Sequence, residues 1–178
     1  MQRISSREVY RNRWLSLRED EIRHPDGSPG LYTVVDKPTA ACVIPYENDG
    51  FHLIEQYRYP LGRRSWEFVQ GTWPADGPPG EALARAELAE ETGLRAGTLT
   101  LLGRVAIAPG LTSQECDVFL ATGLTQGPVD REDTEQEMDQ RWFSLDEFAK
   151  LVRDGRVWDN TTLAAFALFT LRARPEES

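Results

Sequence analysis

The stretch Arg85-Ala86-Glu87-Leu88-Ala89-Glu90-Glu91-Thr92-Gly93-Leu94 decides how the rest of the chain is read. Ala, Leu and Glu favour helix and Gly93 supplies a stop, so composition predicts one helix over Glu81–Thr92. On that helix Glu87, Glu90 and Glu91 are related by three- and four-residue spacing and share one face. Like charges so placed cost roughly 0.2–0.5 kcal/mol per pair. One reading is a solvated acidic face. The other is a bound cation, which reverses the cost. Mg²⁺ takes oxygen ligands, keeps several waters and completes its shell with substrate phosphate oxygens. Such an ion polarises phosphorus, orients water and neutralises a leaving phosphate.

The flanks are built of strands. Ala40–Pro45 is a buried-strand run, Asn48-Asp49-Gly50 a hairpin turn and Phe51–Arg58 the return strand. Trp66-Glu67-Phe68-Val69 forms a further strand ending at Gly71, and a loop rich in Pro and Gly leads to the helix. Beyond the helix, Leu99–Ile107 and Cys116–Ala121 read as strands around a Pro109-Gly110 loop. Residues 130–139 are acidic and expected to be exposed, and Arg141-Trp142-Phe143 returns to the core. Ser144-Leu145-Asp146-Glu147 is a capping box that starts a helix ending near Gly155, and Asn160 is expected to cap a last helix through Ala173. Residues 1–38 contain the Pro25-Asp26-Gly27 turn and the β-branched strand Leu31–Val35. This meander has little core of its own, so it must pack on its own domain or on a second subunit. The pattern predicts an α+β fold with an N-terminal β meander over 1–38 and a main domain over 39–178.

Composition narrows the function. The 178 residues are 40% hydrophobic and 28% charged, enough for a real core. A net charge of −9, with Arg63-Arg64 the one adjacent basic pair, argues against nucleic-acid binding. An acidic protein still binds an anionic substrate where a divalent cation bridges the two. No apolar run is long enough to span a membrane, and the N-terminus lacks the apolar stretch of a secretory signal. Cys42 and Cys116 do not make a disulfide framework, so a reduced, cytoplasmic compartment is expected.

Gly71 together with Glu87-Leu88-Ala89-Glu90-Glu91-Thr92-Gly93-Leu94 resembles a Nudix box: glycine, five residues, Glu, seven residues, then Arg-Glu-apolar-x-Glu-Glu-x-Gly-apolar. The closing half matches at every defined position after the Arg. The opening half departs: the span from Gly71 to Gly93 is one residue longer, the early Glu position falls on Pro78, and the Arg position falls on Ala86. Glu81 and Arg85, four apart, offer a substitute pair or an ordinary exposed salt bridge. Gln56-Tyr57-Arg58-Tyr59-Pro60, Trp66-Glu67-Phe68 and Pro109, fifteen residues after Leu94, are similar to the ADP-ribose and nucleotide-sugar pyrophosphatase branch. The segment Ala108–Glu115 resembles that branch's mobile loop, whose Glu assists catalysis.

The resemblance implies a Nudix α/β/α sandwich with an N-terminal antiparallel extension that packs across a homodimer. It implies Mg²⁺, with Mn²⁺ as an alternative, held by Glu87, Glu90, Glu91 and the carbonyl of Gln70 or Gly71. Glu91, Glu90 and Glu115 would be catalytic, with Glu115 a general base, a further ligand or simply a solvated loop residue. Arg58, Glu67 and Trp14 would contact the nucleotide-sugar substrate, although Arg58 could instead pair with Glu67. Trp14, Tyr32, Tyr57 and Trp66 are aromatics for stacking a base, or else core or dimer contacts. The implied reaction cuts the diphosphate of a nucleoside-diphosphate sugar, ADP-ribose favoured. The alternatives are another Nudix substrate (capped RNA, a dinucleoside polyphosphate, a damaged nucleotide) or a binding module that has lost catalysis.

Overall fold

The computed structural model describes residues 1–73, 77, 80–129 and 137–173. Pro78 of the box and residues 130–136 of the acidic run lie outside the described residues.

The N-terminal segment forms an antiparallel sheet of β1 (Gln2–Arg11), β2 (Ser16–Arg23) and β3 (Pro29–Asp36) in sequential order. β1 is exposed along its whole length, including Ile4, Val9 and Tyr10. Its ladder to β2 carries the pairs Ser5–Glu21 and Arg7–Glu19 at 2.8 and 2.9 Å. Exposed pairs of this kind contribute at most about 1 kcal/mol each. The meander is therefore as poor in core as its sequence suggested.

The second sheet has seven strands: β4 (Ala40–Glu47), β5 (Gly50–Arg58), β6 (Arg63–Glu67), β7 (Val69–Gly71), β8 (Leu94–Ala106), β9 (Glu115–Gln126) and β10 (Asp139–Ser144). Its main path runs β10-β5-β4-β9-β8, with β6 on β5 and β7 on β4. β4 and β9 are parallel and the other pairs antiparallel. The decisive feature is a fork. β4 and β5 pair only beside their turn, at Tyr46↔Phe51 and Glu47↔Gly50. They then diverge, β4 taking β7 and β5 taking β6 as partner. The expected single strand over 66–69 is thus two strands broken at Phe68, whose N–H donates to Thr162 Oγ1 at 3.0 Å.

Strand alternation sorts the core onto two faces. On one face Ala41, Val43, Val69, Phe119 and Ala121 pack with Leu83, Ala84 and Leu88 of α1 (Glu81–Thr92). On the other, Cys42, Ile44, Phe51, Phe68 and Val118 meet Phe148 of α2 (Leu145–Arg153) and Phe169 of α3 (Asn160–Arg172). Phe51 is the hub of that face, with edge-on or tilted ring contacts to Tyr46, Phe68, Phe148, Phe166 and Phe169. The result is an α/β/α sandwich. α1 ends where expected, at Gly93 with φ 73°, a left-handed value that costs glycine nothing. α2 carries the full capping box of Ser144 and Glu147. The cap of α3 is Asp159 rather than Asn160: its carboxylate accepts from Thr162 N at 2.7 Å. β8 and β9 run well past the apolar stretches that marked them.

Candidate active site

The site lies on the α1 face, beside the fork. In the pairing registers Gly71, Ala41 and Asp117 stand in one row across β7, β4 and β9. The two small residues leave a depression, and the Glu87 carboxylate fills it. A Cβ added at Gly71 would overlap the Cδ and both carboxylate oxygens of Glu87. That close approach explains a glycine at the opening of the box. One helical turn on, Glu91 is also buried, at 2% exposure, while Glu90 is half-buried on the flank. Two carboxylates are thus held inside the protein and a third at its edge, as their spacing implied.

Glu115 opens β9 and shares the parity of Asp117, Phe119 and Ala121, so it lies on the face covered by α1. At about 4.8 Å per strand, the row places Asp117 on the order of 10 Å from Gly71. Arg104 bridges the two acids, with Nε at 2.6 Å from Asp117 and Nη1 at 3.0 Å from Glu115. Those bonds, Asp117 first, raise the Arg104 pKa. The loop before Glu115 is stitched to β3. Val35 N donates to Leu111 O, Ser113 N to Val35 O and Tyr32 Oη to Gly110 O, at 3.0, 3.1 and 2.9 Å. Ala108, with φ 44°, sets the bend. Tyr32 therefore serves this loop.

At the fork, Arg58 reaches back to Glu67, with Nε at 3.1 Å from both carboxylate oxygens. Burial pulls the Arg58 pKa down, but Glu67, aided by Asp159 and Glu91, outweighs it and holds the group charged. Glu67 is fully buried and also accepts from Gln70 Nε2 at 2.7 Å. Glu67, expected to contact substrate, is held inside the fold as the partner of Arg58 and Gln70. The Gln70 amide continues to Asp159 at 3.1 Å, on the side away from α1, so only its main-chain carbonyl is left for the acidic face. Trp14 sits in the β1–β2 turn, 38% exposed, with Arg13 stacked 4.5 Å above its ring. Trp66 is core, packed edge-on against Phe143, and Tyr57 is exposed on β5. Glu81 and Arg85 form an exposed pair at 2.8 Å, and Arg85 also donates to Ala96 O.

The donors fit a hard divalent cation. They are all oxygens, and the Gly71 cradle fixes one of them. Among the described residues no three His, Cys, Asp or Glu side chains converge as a closed cage. A Mg²⁺-like ion does not need one, because it uses one or two carboxylates with water and phosphate oxygens. The two thiols stay out of this chemistry: burial raises the Cys42 pKa strongly and pushes Cys116 up to about 12. No helix among the described residues is long and apolar enough to cross a membrane.

Sequence reasoning did not single out Asp117, Arg104 and Asp159, which bond to or stand beside the candidate site residues. Asp117 was within reach, since a residue two after Glu115 on a strand must share its face.

Comparison with known proteins agrees with this geometry. Residues 1–35 match the nucleoside diphosphate sugar hydrolase N-terminal domain and residues 36–166 the NUDIX domain. The chain belongs to the Nudix family. It is 32% identical to an ADP-ribose pyrophosphatase of Mycobacterium tuberculosis, covering 90% of this chain and 79% of that protein. It is 28% identical to an ADP-ribose pyrophosphatase of Bacillus subtilis, covering 95% and 92%. A solved structure described as an ADP compounds hydrolase superposes with a TM-score of 0.82 at 22% identity, covering 98% of this chain and 96% of that one, which supports the fold. Nudix hydrolases generally use divalent metals.

Proposed function

We propose that this chain is a nucleoside-diphosphate-sugar pyrophosphohydrolase. It takes ADP-ribose by preference and releases a nucleoside monophosphate and a sugar phosphate. The observation that carries the reading is the buried Glu87–Glu91 pair seated over Gly71 at the strand fork. The family match and the two ADP-ribose pyrophosphatases among its relatives support the substrate class. Glu87, Glu91 and the Gln70 carbonyl would hold Mg²⁺, with Mn²⁺ as a substitute and Glu90 assisting, and the ion would supply Lewis-acid polarisation and charge neutralisation at phosphorus. Arg58, oriented by Glu67, binds the diphosphate through its planar fork. Trp14 offers a ring face to the base. Glu115 takes the proton of the attacking water. Its oxygen forms the new P–O bond, the bridging P–O bond breaks, and the proton passes to the leaving phosphate or solvent. Residues 1–38 form a packing module whose sheet meets a second copy in a homodimer, residues 39–178 the hydrolase domain.

A panel of nucleotide sugars with Mg²⁺ or Mn²⁺, read by product identity, tests this. AMP and ribose 5-phosphate from ADP-ribose are expected. Absence of turnover of every diphosphate with either ion would refute it.

A further inference from the structure

The segment that leads into α3 runs along the broken strand and is bonded to it at successive points. Trp66 N donates to Arg156 O at 2.9 Å, Trp158 Nε1 to Arg64 O at 3.1 Å and Phe68 N to Thr162 Oγ1 at 3.0 Å. Each of these bonds ends on a main-chain atom of residues 64–68, so together they hold the strand. Asp159 does something else. Its Oδ2 accepts from Thr162 N at 2.7 Å, which caps α3, and from the side chain of Gln70 at 3.1 Å.

The Gln70 amide nitrogen carries two N–H groups, and both point at carboxylates. One goes to the buried Glu67 at 2.7 Å, the other to Asp159. Bonds to ionised acceptors are the strong ones, and two of them in the plane of one amide leave it a single orientation. With either acceptor gone, the amide can turn about the bond that remains. The main chain of Gln70 is one peptide from Gly71, against which the Glu87 carboxylate rests. β7 is only three residues long and ends at Gly71, so its ladder to β4 is short. The side-chain anchor therefore adds a restraint where the strand has few of its own.

We infer that Asp159 is a positioning residue for the candidate cation site: through the Gln70 amide it fixes the Gln70–Gly71 peptide, on which the Glu87 carboxylate and the proposed carbonyl ligand both depend. The inference deepens the nucleotide-sugar reading and rests on its cation site. The plainer role of Asp159, a helix cap, is filled about equally well by Ser or Asn, and that tells the two roles apart.

The test is titration of the full chain with Mn²⁺ alone, the free ion being read by its EPR signal, so that neither substrate nor turnover intervenes. Asp159→Ser keeps an oxygen for Thr162 N but is one bond too short to reach Gln70. It should weaken Mn²⁺ binding about tenfold, the low end of what the loss of a group that orients a metal ligand costs. Gln70→Met leaves the cap alone and should weaken binding as much. The double variant should lose no more than either single one, because both cut the same bond. Asp159→Asn offers its oxygen to both donors and should restore wild-type affinity, with a thermal melt matching that of Asp159→Ser. Wild-type Mn²⁺ affinity in Asp159→Ser or Gln70→Met overturns the inference, as does an additive loss in the double variant or an equal loss in Asp159→Asn. Turnover separates the two claims. Coupled Mn²⁺ losses in a chain that hydrolyses no nucleotide sugar sink the activity and keep the positioning role. Normal hydrolysis with wild-type Mn²⁺ affinity in Asp159→Ser does the reverse. A wild-type chain that binds no Mn²⁺ sinks both.

Discussion

Gly71→Ala is the most informative single change, because it should separate stability from catalysis. The added Cβ would overlap the Glu87 carboxylate. What it meets is the far end of a side chain, not backbone, so rotation of Glu87 relieves the clash without moving β7 or α1. Overpacking of a core costs typically about 1–3 kcal/mol, and a relievable contact belongs at the low end. A loss of about 1 kcal/mol lowers the Tm of a chain this size by about 2–4 °C. The carboxylate, however, must leave the row of Gly71, Ala41 and Asp117, a displacement on the order of 1 Å or more. Misplacement by that amount costs about a hundredfold in rate. The assays are a thermal melt and steady-state kinetics on ADP-ribose over a Mg²⁺ titration. The expected pair is a small Tm shift with kcat down about a hundredfold and a raised Mg²⁺ requirement. Wild-type kcat in Gly71→Ala would refute the cradle, and a collapse of the melt would show that the glycine serves folding.

Glu91→Gln keeps shape and removes charge; it should abolish Mg²⁺-dependent turnover while leaving the melt within a few degrees, and wild-type turnover would count against Glu91 as a ligand. Phe51→Ala deletes the hub of the aromatic face and should cost about 3–5 kcal/mol by urea denaturation, with Mg²⁺ binding measured separately and unchanged. Gly50→Ala meets the backbone oxygen of Phe143 and the Trp142 ring, so it should lower Tm more than Gly71→Ala does. For Glu55, burial raises the pKa, but hydrogen bonds from Arg156 and Arg64 outweigh it and leave the carboxyl below its ordinary range. A depressed folded-state pKa stabilises above the ordinary carboxylate range and is lost as pH falls through the depressed value. Chemical denaturation from pH 7 to pH 3 should therefore show a steeper acid loss in the wild type than in Glu55→Gln.

The elements legible in the sequence are those whose signals are local. The bounds of α1 follow from an Ala, Leu and Glu run closed by Gly93, and α2 from a capping box within four residues. Pairing across the sheet was not legible. β8 and β9 extend beyond their apolar runs because ladder bonds continue where one face is wet, as at the exposed pair Arg95 and Thr125. The break at Phe68 depends on Thr162, ninety-four residues away, whose hydroxyl takes the N–H that would otherwise continue a strand. The site divides in the same way. Glu87, Glu90 and Glu91 were legible because one helix face orders them. For Glu67 the sequence marked the neighbourhood, and only the fold shows that it faces inward onto Arg58.

The charge of −9 and an anionic substrate are reconciled by where the charges lie. The carboxylates of α1 and β9 lie on one face of the sheet beside Gly71, and Arg58 stands at the fork. In the proposed reading, a diphosphate bound there would meet Arg58 on one side and, on the other, carboxylates that repel it until a divalent ion intervenes. Arg58 at the fork is already compensated by Glu67, and Arg104 by Asp117 and Glu115. Fixed positive charge alone is then too little to hold a dianion against buried Glu87 and Glu91. The proposed metal dependence would follow from this balance as much as from the chemistry at phosphorus. β3 and the residues after it hydrogen-bond the loop before Glu115, so they hold the 107–114 loop and the proposed base in place.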